Sequence, residues 1–305
     1  MEITQEIKKK YKGMGFVPNR EGDTVSARIV TKNGVLSTVQ AAALSKVADK
    51  YGNGKITITS RLGIELPGIA YDDIQNVSDE LAKADLYAGG TGAKVRPVTA
   101  CKGTVCPHGN VDTQALALEI HKKFYDGYRN VRLPHKFKIG VGGCPNNCIK
   151  PDINDLGIVA LYKPKFDLSK CVGCEKCVVE PKCPMKTFKK KTGPDNDVCT
   201  KCGKCIGACP FGVADSGEKC FKIYLGGKWG KVVRMGSLMD SYVYSKDELF
   251  ELIEKILLLY IKEGKPQERF GVIVDRLGMD KVEEILKSND LLERKAQILE
   301  KNAQN

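Results

Sequence analysis

The chain has 305 residues, 42% of them hydrophobic, with 49 Lys and Arg against 37 Asp and Glu, which gives a formal charge of +12. Thirteen cysteines would suit a disulfide-stapled secreted protein, but such proteins are usually short, and this chain opens MEITQEIKKKYKG without an apolar signal segment. No apolar run approaches the roughly 18 residues of a membrane span, so we expect a cytoplasmic protein whose cysteines bind metal.

The positive charge alone would fit a nucleic-acid-binding protein. However, the sequence has no long Lys/Arg block, no aromatic platform and no zinc-finger histidine spacing. One remaining interpretation is a solvated basic face, and the other is a protein that accommodates an anionic cofactor and an anionic substrate. We expect neither nucleic acid nor a membrane among its partners.

Residues 1–92 predict an α+β unit that ends at a glycine-rich linker, 89–92. The predicted elements are a strand at 25–30, a helix at 37–51, a strand at 55–59 and a helix at 71–84. Ser37 is the expected N-cap of the first helix and Gly52 its stop. This helix should bury one face, formed by Val39, Ala43, Val47 and Ala48.

Residues 93–163 and 218–276 predict a second unit. Asp112 is the expected N-cap of a helix that reaches about Tyr125, and Ser245 that of a helix to about Glu263. Strands are expected at 136–141, 156–161 and from residue 220, where strand and glycine-turn chemistry resumes. The remaining residues, 277–305, predict a charged helical tail, with a helix at 280–301, that packs on the surface or on a partner.

Eight cysteines form a dense array within residues 164–217, which interrupts the second unit. The segment has few large apolar residues, so we expect it to fold only with metal bound. In a C-x2-C-x2-C-x3-C-P run the first three cysteines bind one 4Fe–4S cluster and the fourth reaches the other. The predicted ligand sets are Cys171, Cys174, Cys177 and Cys209 for one cluster, and Cys183, Cys199, Cys202 and Cys205 for the other. Structural zinc would not explain the Cys-Pro endings of both runs.

Four more cysteines, in two pairs ahead of the array, predict a third cluster. They are Cys101, Cys106, Cys144 and Cys148. Thiolate is the soft ligand that iron clusters require, and each pair can supply two corners of one cube. Both pairs fall on predicted loops, where backbone N–H groups can point at sulfur. Cys220 lies outside these sets and is expected to be a buried thiol.

The residues around the two pairs, Thr99-Ala-Cys101-Lys-Gly-Thr-Val-Cys106 and Gly142-Gly-Cys144-Pro-Asn-Asn-Cys148, resemble the motif of the sulfite and nitrite reductases. In that family the last cysteine bridges a 4Fe–4S cluster to the iron of sirohaem, so the resemblance implies this role for Cys148. The similarity covers residues 20–275. Its layout is that of small single-copy members, such as the catalytic chain of anaerobic sulfite reductase, with an inserted ferredoxin module.

The resemblance also implies site residues. Arg61 matches a substrate-binding arginine, Arg96 is a second candidate, and Lys136 and Lys138 match paired lysines over the distal face of sirohaem. Alternating lysines on a strand more often form a solvated face, but these stand six residues before a cysteine turn. Residues expected to contact the cofactor are Arg28, Thr57, Thr59, Asn146, Gly226, Gly227, Lys228 and Lys231. His108 and His135 are expected to have surface or supporting roles.

These residue types suit the chemistry. Sirohaem carries eight carboxylates, so a pocket rich in Lys and Arg lowers the energy of burying it. Sulfite is a small dianion whose oxygens the arginines would hold, while the lysines would also supply protons.

The expected fold is therefore α+β: a ferredoxin-like sulfite/nitrite reductase half-domain, a domain binding sirohaem and a 4Fe–4S cluster, and an inserted bacterial-type ferredoxin domain with two 4Fe–4S clusters. The expected function is six-electron reduction of sulfite to sulfide. Nitrite reduction to ammonia on the same cofactors is one alternative, and a non-catalytic polyferredoxin subunit is another. Expected partners are ferredoxin or a flavin/iron–sulfur subunit as electron donor. A homodimer or higher oligomer is also expected, because longer relatives contain two copies of the half-domain unit.

Overall fold

The computed structural model describes residues 3–303, in which two sheets each carry their own helices. Residues 1–2 and 304–305, the outer ends of the first and last predicted units, lie outside the described residues. The first sheet is antiparallel, in the order β1-β2-β4-β3. Its elements are α1 (Gln5–Gly13), β1 (Phe16–Pro18), β2 (Thr24–Ile29), α2 (Thr38–Tyr51), β3 (Thr57–Ile58), β4 (Ile64–Ala70) and α3 (Ile74–Ala82).

Helix α2 begins and ends where the sequence predicts. The Ser37 hydroxyl accepts a hydrogen bond from the Gln40 N–H at 3.1 Å, and the Gln40 side chain accepts one from the Ser37 N–H at 3.1 Å, which forms a capping box. Gly52 ends the helix. The predicted burial of Val39 is wrong, since this side chain is 70% exposed. The face against the sheet is centred on Leu44, and Val39 lies on nearly the opposite side of the helix.

The second sheet has the order β11-β10-β7-β6-β5, with β5, β6 and β7 parallel and the other pairs antiparallel. The elements of this part of the chain are β5 (Thr99–Ala100), α4 (Thr113–Ile120), β6 (Ile139–Gly142), β7 (Leu156–Lys165), β8 (Phe188–Lys189), β9 (Gly193–Pro194), β10 (Ser216–Leu225), β11 (Ser237–Leu238), α5 (Lys246–Glu263), α6 (Phe270–Leu277), α7 (Met279–Lys287), α8 (Asp290–Glu293) and α9 (Lys295–Ala303).

The two long helices of this layer have the predicted caps. The Asp112 carboxylate accepts a hydrogen bond from the Ala115 N–H at 3.0 Å, and α4 continues through a π-helical turn at His121–Asp126. The Ser245 hydroxyl accepts one from the Glu248 N–H at 3.0 Å and so begins α5. Helix α5 is the centre of the larger hydrophobic core, where Ile253, Ile256, Leu257, Leu258 and Tyr260 are fully buried.

The predicted tail helix at 280–301 is wrong in two respects. It is broken into α7, α8 and α9, and it does not lie on the surface of the described chain. Val282, Leu286, Leu291 and Ile298 are buried in the same core as α5, because each short helix turns one apolar face inward.

Strands β7 and β10 pair along ten residues, from Leu156 opposite Leu225 to Lys165 opposite Ser216. Residues 166–215 leave this ladder and return to it. Between them lie the β8–β9 hairpin and a small core of Val179, Phe188 and Val213. Among residues 3–303, no helix is long and apolar enough to cross a membrane.

Candidate functional site

A basic cleft opens where the first sheet meets the second, with an empty volume of about 840 Å³. It is lined by the end of β2, the β3–β4 loop, the glycine-rich segment at 89–90, and the stretches that lead into β5 and β6. Among the described residues the lining holds no carboxylate, and its charged members are Arg28, Arg61, Arg96, Lys136 and Lys138. Such a cleft attracts anions.

Arg61 lies on the β3–β4 loop and is fixed by neutral acceptors. Its guanidinium donates to the Asn154 side-chain oxygen at 2.5 Å and to the Pro97 carbonyl at 3.2 Å. Burial lowers the pKa of Arg61 to about 10, and the neighbouring Arg96 acts in the same direction. Because no carboxylate bonds to this guanidinium, its charge remains available to an anion in the cleft.

Arg96 and Arg28 enter the cleft from opposite sides of the glycine-rich segment. Arg96 donates to the carbonyl of Gly90 and, at 3.0 Å, to that of Gly92. Its Nε has no hydrogen-bond partner among the described residues, and burial lowers its pKa to about 10. Arg28 is neutralised in part by Glu65, whose Oε1 lies 2.7 Å from its Nη2. Arg96 is therefore the less compensated of the two.

Lys136 and Lys138 lie just ahead of β6 and face the cleft. Burial lowers the pKa of Lys138 to about 8, and the charges of Arg61 and Arg269 contribute to the shift. The pKa of Lys136 is also lowered, first by burial and then by neighbouring arginines. A lysine with a pKa near 8 can both hold and release a proton at physiological pH.

A buried ion pair behind Lys138 was not foreseen from the sequence. Arg269 Nη2 lies 2.8 Å from each carboxylate oxygen of Asp155, which is fully buried and also accepts the Lys138 N–H at 2.9 Å. Burial raises the pKa of Asp155, and Arg269 opposes that rise. The partners are 114 residues apart and have no motif spacing, so no sequence signal links them.

The four cysteines of the two pairs face one another. Cys101 follows β5 and Cys144 follows β6, and these parallel neighbours bring both to one sheet edge. Burial raises the pKa of Cys144, and the thiols of Cys101, Cys148 and Cys106 raise it further. The Gly143 N–H donates to Cys101 Sγ at 3.2 Å, and the Asn146 N–H donates to Cys144. Four converging thiols with N–H donors suit an anionic iron–sulfur cube.

The eight array cysteines line two separate pockets, and each pocket draws on both sequence runs. Phe188 borders both pockets. Burial raises the pKa of Cys205 to about 11, with further contributions from three neighbouring thiols. We name the pockets by their cysteines: the inner pocket holds Cys183, Cys199, Cys202 and Cys205, and the outer pocket holds Cys171, Cys174, Cys177 and Cys209.

Within residues 3–303, no three His, Cys, Asp or Glu side chains are placed to hold a single metal ion. Cys220, as expected, is a buried thiol, 2% exposed, on β10. His108 is exposed, and His135 Nδ1 accepts the Lys136 N–H at 2.7 Å, which supports that lysine.

Three of the residues expected at the cofactor lie near the loops that shape the sites. Thr59 lines the cleft, and its hydroxyl accepts the Gly63 N–H at 3.1 Å. Thr57 lies outside the lining, because its hydroxyl donates to the Glu65 carbonyl on the exposed side of β3. Asn146 is exposed and meets the site only through its backbone N–H.

The glycine turn after β10 does not line the cleft. A Cβ on Gly226 would lie 2.7 Å from the Gly271 Cα, and one on Gly227 would lie 2.3 Å from the Asp152 carbonyl oxygen. Both glycines thus permit close backbone packing. The expected cofactor residues Lys228 and Lys231 belong to the loop that follows, which is closed by paired backbone hydrogen bonds between Lys228 and Arg234.

Two family models match the chain. The nitrite/sulfite reductase ferredoxin-like half domain matches residues 17–84, and the nitrite and sulphite reductase 4Fe-4S domain matches residues 91–294.

Three curated relatives cover half or more of the chain. The coenzyme F420-dependent sulfite reductase of Methanocaldococcus jannaschii is 35% identical over 90% of this chain and 44% of that protein. The uncharacterized protein MJ0551 of the same organism is 32% identical over 87% of this chain and 92% of that protein. The third subunit, by letter, of the anaerobic sulfite reductase of Salmonella typhimurium is 32% identical over 50% of this chain and 48% of that protein. The chain thus spans less than half the length of two of these relatives.

Two solved structures share the fold. The crystal structure of dissimilatory sulfite reductase I has a TM-score of 0.69 and 24% identity, over 87% of this chain and 69% of that chain. The Mycobacterium tuberculosis NirA protein has a TM-score of 0.65 and 13% identity, over 95% of this chain and 48% of that chain. At these identities the likeness concerns the fold alone.

Proposed function

The chain belongs to the nitrite and sulphite reductase family, and on that premise we propose that it reduces sulfite to sulfide. Members of this family bind sirohaem and a 4Fe–4S cluster. The observation that carries the proposal is the cleft that gathers Arg61, Arg96, Lys136 and Lys138 without a carboxylate in its lining. Val98 of that lining stands three residues before Cys101, so the cleft adjoins the four facing cysteines.

The residues fit the cofactors. A cleft with five cationic side chains offers partners for the carboxylates of sirohaem. We assign one cluster to Cys101, Cys106, Cys144 and Cys148, with Cys148, which is exposed, as the bridge to sirohaem iron. When bound, the iron of sirohaem would receive the sulfur of the substrate and pass electrons to it.

We further propose three clusters in all, with one in the inner pocket and one in the outer pocket. Residues 164–217 would then form an inserted ferredoxin-type domain. The other proposed domains are residues 1–92, residues 93–163 with 218–276, and residues 277–305. The support is that each pocket collects four cysteines and that the β7–β10 ladder continues on both sides of the insertion.

The reduction of one sulfite dianion consumes six electrons and seven protons and releases hydrosulfide and three waters. Arg61 and Arg96 hold the substrate oxygens and stabilise the negative charge that develops as S–O bonds break. Lys138, with a pKa of about 8, donates a proton to a departing oxygen and regains one from solvent. Lys136 adds a second cation at the same face of the cleft.

The test is protein purified without oxygen from a host that makes sirohaem. We expect an isobacteriochlorin absorption spectrum that shifts when sulfite is added to the reduced protein, together with sulfide production. Arg61→Gln and Lys138→Gln should each lower kcat/KM by about 10²- to 10³-fold, whereas Lys46→Gln on the exposed face of α2 should not. A spectrum of iron–sulfur clusters without sirohaem would refute the proposal in favour of an electron-transfer subunit.

Nitrite is the second candidate substrate, since its reduction to ammonia uses the same cofactors and the family includes nitrite reductases. The relatives named for sulfite reduction favour sulfite. Ranking kcat/KM for the two anions in one preparation decides between them. We also propose a cytoplasmic, homodimeric or larger assembly supplied by an electron-donor protein, which size-exclusion chromatography of the anaerobic protein tests in its oligomeric part.

A further inference from the structure

The two cysteine pockets of residues 166–215 differ in what surrounds them. The inner pocket is attached to the rest of the protein: the Tyr162 N–H of β7 donates to the Lys201 carbonyl at 3.0 Å, and Tyr162 forms a backbone bridge with Cys202. Lys204 Nζ donates to the Pro107 carbonyl at 2.9 Å, on the loop that follows Cys101 and Cys106. The inner pocket therefore lies between the outer pocket and the four facing cysteines.

The outer pocket is bordered by apolar side chains that are open to solvent. Val172 is 64% exposed, and Val178 and Phe211 are 49% exposed, although all three line the pocket. Cys174, one of the four thiols, is also exposed. An exposed apolar group of this kind is typical of a contact surface for another protein.

Lysines surround this apolar group. Residues 170–191 contain seven lysines and two glutamates, so the segment is strongly basic, and all seven lysines are exposed. Lys176 and Lys190 line the outer pocket, and Lys190 Nζ donates to the Cys174 carbonyl at 3.0 Å. The side chain of Lys191 lies over Gly173. We call the group formed by Val172, Lys176, Val178, Lys190, Lys191 and Phe211 the outer face.

An apolar centre with a charged rim has the anatomy of a protein–protein interface. The charge of the rim selects the partner, because complementary potentials steer encounter and disfavour partners of like charge. A nucleic acid would also answer the lysines, but the two valines offer it neither stacking nor hydrogen bonds. The observations thus favour an acidic protein.

We propose that the outer face docks an acidic electron-carrier protein, whose own redox centre then lies against the outer pocket. This inference rests on the proposed function, since it assigns the entry point for the electrons that sulfite reduction consumes. Each docking oxidises one reduced carrier by one electron, and six dockings supply one sulfite. The small apolar centre suits a transient complex from which the oxidised carrier leaves.

The test uses the anaerobic holoprotein and an acidic 2Fe–2S ferredoxin of the plant type as probe. Binding is titrated calorimetrically without sulfite, at low and high salt. The Lys176→Glu/Lys191→Glu double variant should weaken binding about tenfold or more at low salt and reduce the salt dependence seen in the wild type. The matched control, Lys9→Glu/Lys46→Glu, changes two exposed lysines on α1 and α2 and should leave the Kd within about twofold of the wild type.

A second measurement separates docking from chemistry. Reduced methyl viologen is small and cationic, so sulfite reduction driven by it should be equal in the wild type and in Lys176→Glu/Lys191→Glu, while the KM for ferredoxin rises about tenfold. Phe211→Ser should raise the same KM without changing its salt dependence. Because the titration contains no sulfite, charge-sensitive binding without sulfide production would refute only the proposed function.

The docking proposal is overturned if the control variant weakens ferredoxin binding as much as the outer-face variant, or if neither variant does. It is also overturned if a single-stranded DNA oligonucleotide displaces ferredoxin from the outer face at lower concentration than ferredoxin itself. Should Lys176→Glu/Lys191→Glu lose bound iron, the neutral Lys176→Gln/Lys191→Gln variant, expected to weaken binding several-fold, decides by the same titration.

Discussion

Replacing Asp155 with asparagine tests the buried ion pair behind Lys138. Asp155 is fully buried and the Arg269 side chain is only 11% exposed, so the variant leaves a guanidinium below the surface without its counter-ion. Removing one partner of a buried pair costs about 3–5 kcal/mol. We therefore expect Asp155→Asn to lower the free energy of opening around β6 and α6 by about that amount.

The control is a solvent-exposed pair. Lys246 and Glu119 lie 2.8 Å apart with side chains 55% and 46% exposed, and such pairs contribute about 0–1 kcal/mol. Glu119→Gln should therefore change the stability very little. Asp155→Asn combined with Arg269→Gln should cost less than the sum of the single variants, because the double variant leaves no unpaired charge.

Native-state hydrogen exchange of the anaerobic holoprotein measures this without unfolding the clusters. Amides of β6 and α6 should lose roughly 10²- to several 10³-fold protection in Asp155→Asn, since every 1.4 kcal/mol is a factor of ten. The charge of Asp155 also raises the pKa of Lys138, so the variant should move the pH dependence of activity to lower pH. A loss below about 1 kcal/mol, equal to that of Glu119→Gln, would refute the argument.

Three further predictions concern other parts of the chain. Because the pKa of Lys138 is about 8 and the protonated form binds the anion, the KM for sulfite should rise as the pH passes 8; Lys138→Arg should move that rise upward by a pH unit or more, and an unchanged profile would contradict the role. Cys205→Ser should lose about a third of the bound iron, whereas Cys220→Ser should keep it, as iron analysis of matched preparations would show. Ser245→Ala should destabilise α5 by about 1 kcal/mol, visible as a lower melting temperature, and no change would mean that the cap is dispensable.

The helices were predictable from the sequence where their signals are local. Ser37, Asp112 and Ser245 each cap a helix through a hydrogen bond to an N–H three residues on, so the few residues around the cap determine where the helix begins. Which face of α2 is buried depends instead on the sheet beneath it. The sequence pattern alone therefore placed Val39 inside, where the structure has Leu44.

The basic residues of the cleft were found through a resemblance to a family and not through their spacing. Arg28, Arg61, Arg96, Lys136 and Lys138 come from four separate stretches that only the folded chain brings together. The same limit explains why Asp155 and Arg269 were missed. Nothing in either sequence neighbourhood indicates that the carboxylate beneath Lys138 is neutralised by an arginine 114 residues later. The roles of the cleft residues in binding and proton transfer remain predictions.

The register of β7 and β10 determines how residues 166–215 are joined to the rest of the protein. Lys165 and Ser216 face each other as the last pair of the ladder, so the segment begins and ends at neighbouring points in space. A two-residue hairpin turn could therefore close the gap if the segment were removed, leaving every strand in place. Gain or loss of the eight cysteines thus requires no change in the order of the sheet, and the same scaffold can exist with or without its own electron relay.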